Sequence, residues 1–309
     1  MNRLQANLCL VCVTLYWSAE VILYACIPKG IPLFATSCVT SYAGGLLLLA
    51  AFWRRICTSM RQVGGHLLLG CLLMAALSAM YNTMYLYGLK FFDVTTGAFT
   101  ISMTIVVLPV ALLTMRRHVS PGTWLSIALV TVGIVLAMGP SLRGEQLPGL
   151  ALMAGGCLLR AILIVILTDM VKRHDPIAIA CFLELFAGIL SLGGWLCEDS
   201  RLFFGLPFSR TLVASWAIYA YFIVAIAQVL NTFALKHVTA ANATIVYSLE
   251  IIFSIIWGTF LPADLVGHVK ITPMILLGMA FVFIGSLAEI IDFKGKRERH
   301  EEIGREGSA

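Results

Sequence analysis

Two ionisable side chains stand where water should be absent. Glu250 interrupts the apolar run LKHVTAANATIVYSLEIIFSIIWG (residues 235–258), and Arg160 interrupts GLALMAGGCLLRAILIVILTDMVKRHDP, which starts at Gly149. A carboxylate in such a place can hold a proton or a substrate amine. A guanidinium offers a fork of donors that clasps a carboxylate through two bonds. The plain alternative is a structural ion pair, with Glu250, Glu184 or Glu20 as the partner of Arg160. A paired arginine can also be released to substrate during a working cycle, so both readings can hold.

Other polar and aromatic side chains recur at three- and four-residue spacing, which puts them on common helix faces. Ala243, Tyr247, Glu250, Ser254 and Trp257 form one such stripe. Glu20 shares a face with Trp17 and Tyr24; Asn82 with Ser78, Tyr81 and Tyr85; Gln228 with Tyr221 and Asn231. Hydrogen bonds between packed helices account for polar stripes at about 0.6 kcal/mol each, whereas a shared cavity accounts for their chemistry. The candidate substrate-binding residues are therefore Glu250, Arg160, Glu20, Trp17, Tyr247, Asn82, Tyr81, Tyr85, Gln228, Asn231 and Ser254.

The elements that carry these residues follow from composition. Of 309 residues, 60% are hydrophobic and 12% charged, about half the charge of a typical soluble domain. A membrane span needs about 20 apolar residues, and the chain divides into ten: 4–27, 32–53, 65–89, 94–114, 119–139, 147–171, 177–197, 211–235, 240–261 and 268–291. The first is too long for a cleaved signal sequence. Glu250 then lies about 16 Å into its span, near the middle of a core about 30 Å thick. A charge there costs roughly 2.5–3.5 kcal/mol on insertion scales, so it must face protein or a wet cavity. Proline and charge gather in the short connections, and the tail DFKGKRERHEEIGREGSA is polar.

With the N-terminus inside, the inner segments hold Arg3, Arg54, Arg55, Arg61, Arg116, Arg117, Lys172, Arg173, Lys236 and the basic tail. The outer ones hold Lys29, Lys90, Arg143, Arg201, Arg210 and Lys270. This bias places both termini in the cytoplasm. The net charge of +5 reflects topology, and no basic stripe interleaved with aromatics suggests nucleic acid. The nine cysteines imply no disulfide framework, and Cys9 and Cys12 read as packing residues. No metal-ligand cluster, Walker motif or cofactor fingerprint occurs. The glycine pairs Gly44–Gly45, Gly64–Gly65 and Gly155–Gly156 suit close helix contact, Phe99 suits packing, and Pro109 suits a kink.

Two segments repeat. NTMYLYGLKFFDVTTGAF from Asn82 and NTFALKHVTAANATI from Asn231 share Asn-Thr, Leu-Lys and small residues opening the next helix. TVGIVLAMG around Gly133 and FVFIGSLAE around Gly285 also match as the ends of two halves. Five spans per half is an odd number, so the second copy enters from the opposite side, the inverted-repeat plan of many carriers.

The run LKHVTAANATIVYSLEIIFSIIWG resembles the second-half signature of the EamA family, within the drug/metabolite transporter superfamily. The segment from Gly149 resembles the opening span of that half, and LYWSAEVILYA from Leu15 its first-span tryptophan motif. The resemblance covers about residues 8–290. Ile251 stands where the family usually has proline, Arg160 where it has tryptophan or a small residue, and Ser41–Tyr42 near a position that is commonly basic. The resemblance implies an all-α integral membrane protein: ten helices in two inverted five-helix repeats (1–139 and 147–291) around a central cavity, with 292–309 as a cytoplasmic tail.

The expected function is a secondary transporter in the cell membrane, a bacterial inner membrane being the expected one. Its cargo is a small-molecule substrate, an amino acid or related zwitterion, moved outward by alternating access. Glu250 or Glu20 would serve proton coupling, while uniport or exchange would use the same scaffold. Its surroundings are the lipid bilayer; no nucleic acid and no cofactor are expected, and a homodimer is compatible. Efflux of drugs or other metabolites is the nearest alternative. An integral-membrane enzyme on lipid-linked substrates is the second, although no nucleophile–base pair is legible and the histidines lie at loops, span ends or the tail. A non-transporting assembly subunit is the third.

Overall fold

The computed structural model describes residues 1–20, 23, 27, 30–63, 65–89, 91, 103–115, 121–138, 147–198, 205–206, 208–260 and 272–288. These residues are helical, with no strand among them. The helices are α1 (Arg3–Ser18), α2 (Leu33–Val63), α3 (Gly65–Leu89), α4 (Met103–Thr114), α5 (Pro121–Met138), α6 (Leu147–Arg173), α7 (Pro176–Glu198), α8 (Arg210–Leu235), α9 (Ala240–Tyr247, resuming as Leu249–Phe260) and α10 (Pro273–Ala288). Among the described residues six helices, α2, α3 and α6 to α9, are long and apolar enough to cross a membrane. Those in α4, α5 and α10 are shorter apolar helices. The rest of the expected spans 4–27, 94–114, 119–139 and 268–291 lies partly outside the described residues, as do Tyr24, Phe99 and the tail.

Local chemistry explains the helix starts. Asn2 and Gln5 form a reciprocal capping box on α1, each side chain accepting from the other's backbone N–H at 2.9 Å. Ser209 accepts from Leu212 N at the start of α8, and Thr239 from Asn242 N at the start of α9. Departures from regular helix are equally local. α2 leaves helical geometry at Phe52 (φ −122°, ψ 25°). It then runs on past the expected end at 53, because Ile56 and Met60 still find apolar partners on α7 and α8. α4 continues through Pro109. In α8, Tyr219–Ile226 is π-helical. α9 breaks at Ser248, where the hydroxyls of Ser248 and of Ser286 on α10 both donate to Ile245 O, at 2.6 and 3.1 Å. Side-chain hydroxyls of this kind satisfy backbone groups that a broken helix frees inside a membrane.

Helices of the first half (α1–α5) pack chiefly on helices of the second (α6–α10): α2 along α7, α3 along α6 and α7, α4 on α6, and α1 on α8 and α9. Glycine sets the closest approaches. A Cβ on Gly133 of α5 would meet Gly278 O at 2.6 Å, and one on Gly285 of α10 would meet Ser126 O at 3.0 Å. Gly45 of α2 faces Leu185 of α7, while Gly188 and Gly194 of α7 face Tyr42 and Phe34. In both pairs, rising numbers in one helix meet falling numbers in the other, so α2/α7 and α5/α10 are antiparallel. Gly155 and Gly156 likewise abut α3, whereas Gly65 has nothing within 4 Å.

One end of the molecule gathers the N-terminus and the α8–α9 connection. There His237 is held below the usual histidine value, first by burial, then by the N-terminal ammonium and Lys236. The outer surface carries large apolar side chains, among them Leu69, Leu113, Leu125 and Val135, which is the exterior that lipid tails cover. The eight cysteines among the described residues are free; Cys12 is exposed, so the packing reading fails for it.

Candidate functional site

Arg160 projects from the middle of α6 and Glu250 from α9, just past the break at Ser248. Their side chains are 10% and 13% exposed, and Arg160 Nη2 donates to Glu250 Oε2 at 3.3 Å. Of the three carboxylates considered from sequence, Glu250 is the bonded partner. Both residues come from the second half, so this bond ties that half to itself.

Aromatic rings of the first half cover the pair. Arg160 Cζ lies 5.9 Å from the Trp17 ring centre and 5.8 Å from that of Tyr81, within the reach of a cation–π contact. Trp17 also lies against Tyr247, with ring centres 5.2 Å apart, and the Tyr247 hydroxyl donates to Asn231 Oδ1. The contacts therefore run as one chain through α8, α9, α1, α6 and α3. Tyr85 is half-buried, within electrostatic reach of Glu250, Glu20 and Arg160.

Glu20 lies within electrostatic reach of Glu250 and Arg160, and its hydrogen bond comes from the Tyr219 hydroxyl at 2.5 Å. Two residues before Glu20, Ser18 Oγ accepts from Trp257 Nε1 at 3.0 Å. These two bonds join α1 to α8 and α9. Glu184 instead faces Ser41 of α2. Asn82 and Ser254 are half-buried and Gln228 is buried. Asn82 adjoins Tyr81 in α3, Gln228 is one turn before Asn231, and Ser254 is one turn after Glu250. No hydrogen bond joins these three side chains to the charged pair among the described residues.

The stripe Ala243–Tyr247–Glu250–Ser254–Trp257 does face inward. The stripe Tyr221–Gln228–Asn231 does not hold: Tyr221 is 51% exposed. Its spacing assumed a regular helix, and the π-helical turn of Tyr219–Ile226 takes more residues per turn, rotating Tyr221 away from Gln228.

A cavity of about 10 Å³ adjoins the pair, lined by Thr104, Ile105, Arg160, Ile164, Thr244, Tyr247, Ser248 and Glu250. That is room for about one water. Arg160 has five N–H donors, and among the described residues its one hydrogen bond is to Glu250. Among the described residues the guanidinium is thus held in place with most of its donor capacity unspent. Thr104, Thr244, Ser248 and Tyr219 were not singled out from sequence. Serines and threonines inside apolar helices usually bond their own backbone, as Thr244 does to Ala240 O at 2.9 Å, so type alone marks no site.

Residues 147–288 match the family model described as "EamA-like transporter family". Over those residues, the second half of the chain is similar to EamA-like transporters. The matched segment holds Arg160, Gln228, Asn231, Tyr247, Glu250 and Ser254, while Trp17, Glu20, Tyr81, Asn82 and Tyr85 lie outside it. A solved crystal structure, titled only as that of a protein, matches with a TM-score of 0.70 at 15% identity, covering 95% of this chain and 98% of its own. That likeness concerns the fold. No curated protein matches the sequence. That similarity, with six helices among the described residues long and apolar enough to cross a membrane, is what a multi-pass membrane protein shows.

Proposed function

We propose that this EamA-like protein is a secondary carrier that exports amino acids or related zwitterions from the cytoplasm by alternating access. The observation that carries the reading is Arg160 and Glu250: opposite charges bonded at 3.3 Å inside the helices and covered by Trp17 and Tyr81 from the other half. A zwitterion presents both complementary charges. Its carboxylate would take the unspent N–H donors of Arg160 in a forked pair, and its ammonium would meet Glu250, with Glu20 close by.

The cavity holds about one water, so cargo enters only when the cover separates. The Arg160–Glu250 bond lies within one half and the cation–π contacts lie between halves. Relative motion of the halves thus exposes the pair without breaking it. Antiparallel pairing of α2 with α7 and of α5 with α10 supports two inverted repeats, 1–139 and 147–291, as the moving bodies. With both termini cytoplasmic in a cell membrane, Glu20 or Glu250 would carry any coupling proton, although exchange or facilitated flow needs no further group.

The test is flux of a labelled amino-acid panel from proteoliposomes containing the purified chain. The reading expects saturable flux of at least one zwitterion, lost in Arg160→Gln. An absence of flux across the panel would remove the substrate class.

A further inference from the structure

The cytoplasm-proposed end of α2 is longer than a span requires. α2 has 31 residues, about 46 Å of helix against a hydrocarbon core of about 30 Å. About ten residues therefore project beyond the core, and they begin where the helix bends at Phe52. Past the bend, Ile56 and Ser59 are buried and Met60 packs with Ile56 against α7 and α8. The opposite stripe, Trp53, Arg54, Thr58 and Arg61, is exposed.

Among the described residues the same end has more basic side chains than carboxylates to balance them. Asp175 is taken by Arg55, which donates to it from Nε at 2.7 Å and Nη2 at 3.1 Å and lies 5.7 Å from the Phe233 ring centre. Asp169 also has a partner. Arg54, Arg61, Lys172, Arg173 and Lys236 are exposed and have no carboxylate partner among the described residues. Arg55 pins the segment to α7 and α8, so its outer stripe is presented on a fixed body.

We propose that this stripe is a binding surface for an anionic phospholipid headgroup. Trp53, whose amphipathic ring is of the kind that favours a membrane interface, directly follows the bend at Phe52, and Arg54 and Arg61, two helical turns apart on one face, supply the phosphate donors. The charge complementarity selects an anionic headgroup over a zwitterionic one. This surface is separate from the transport site, and its test does not use transport.

The test titrates the purified full chain in detergent with phosphatidylglycerol or phosphatidylcholine and reads bound lipid by native mass spectrometry. Wild type should hold phosphatidylglycerol in preference. Each basic residue near an anionic surface contributes about fivefold, so Arg54→Gln/Arg61→Gln should weaken that binding by about 30-fold. Arg54→Lys/Arg61→Lys should retain most of it, and Arg210→Gln, at the opposite end of α8, should leave it unchanged. Equal binding of the two lipids, or undiminished phosphatidylglycerol in the Gln variant, would overturn the proposal. So would a change of oligomeric state in that variant with lipid binding intact, which would assign the stripe to a second copy of the chain.

Discussion

Replacing Arg160 and Glu250 singly and together separates a working pair from a merely structural one. At 3.3 Å and 10% and 13% exposure, this pair falls in the buried class, where loss of one partner costs about 3–5 kcal/mol because the other charge is stranded. An exposed pair would cost about 1 kcal/mol or less. Arg160→Met and Glu250→Leu should each destabilise the protein by about 3–5 kcal/mol, and the double variant should recover most of that, since well-packed apolar replacement of a buried pair is often neutral. The assay is graded unfolding in mixed micelles, completed as a double-mutant cycle. Transport should not recover with stability. Losing a charge-assisted hydrogen bond worth about 1.5–3 kcal/mol lowers substrate affinity by about 10- to 150-fold. Wild-type flux from a stable double variant would refute the assignment of cargo to this pair. A coupling energy near zero would refute the burial argument.

Gly133→Ala and Gly285→Ala should each cost about 1–3 kcal/mol by overpacking, because the new Cβ meets opposing backbone at 2.6 and 3.0 Å, while Gly193→Ala meets nothing within 4 Å and should be tolerated; unfolding midpoints check both. Arg55 and Asp175 are bonded twice but Arg55 is 51% exposed, so their coupling in a double-mutant cycle should stay near 1 kcal/mol, and a value in the buried range would contradict that exposure. His237, held low by burial and neighbouring positive charge, is harder to protonate in the fold than in the unfolded chain. Stability should therefore fall slightly as pH drops through about 6.5, and melting curves of His237→Gln should lack that component.

Helix positions were legible because apolar runs bounded by charge and proline leave few choices inside a bilayer. α3, α6 and α7 fall within a few residues of their expected spans. The overrun of α2 was not legible: Arg54 and Arg55 looked like an end, and only the partners of Ile56 on α7 and α8 explain its continuation. The inward stripe of α9 could be read from spacing alone, since the break at Ser248 leaves that face intact. The stripe through Tyr221 could not, because nothing in YAYFIVAI announces a π-helical turn. In the site, the unusual types at unusual depth, Arg160 and Glu250, were visible at once. Their pairing, and the cover by Trp17 and Tyr81, depend on helices distant in sequence. Gly133 and Gly285 stood out as matching ends of two halves, and the structure sets each against the other's helix.

The central claim is that water and cargo reach a site buried in this structure when the halves part. Thr244 lines the cavity and is 3% exposed. Thr244→Cys, in a chain otherwise stripped of its nine cysteines, should react with a small membrane-impermeant thiol reagent added to proteoliposomes, and transported substrate should slow that reaction. A cysteine there that stays unreactive from both sides of the membrane, in protein that still carries flux, would contradict the account.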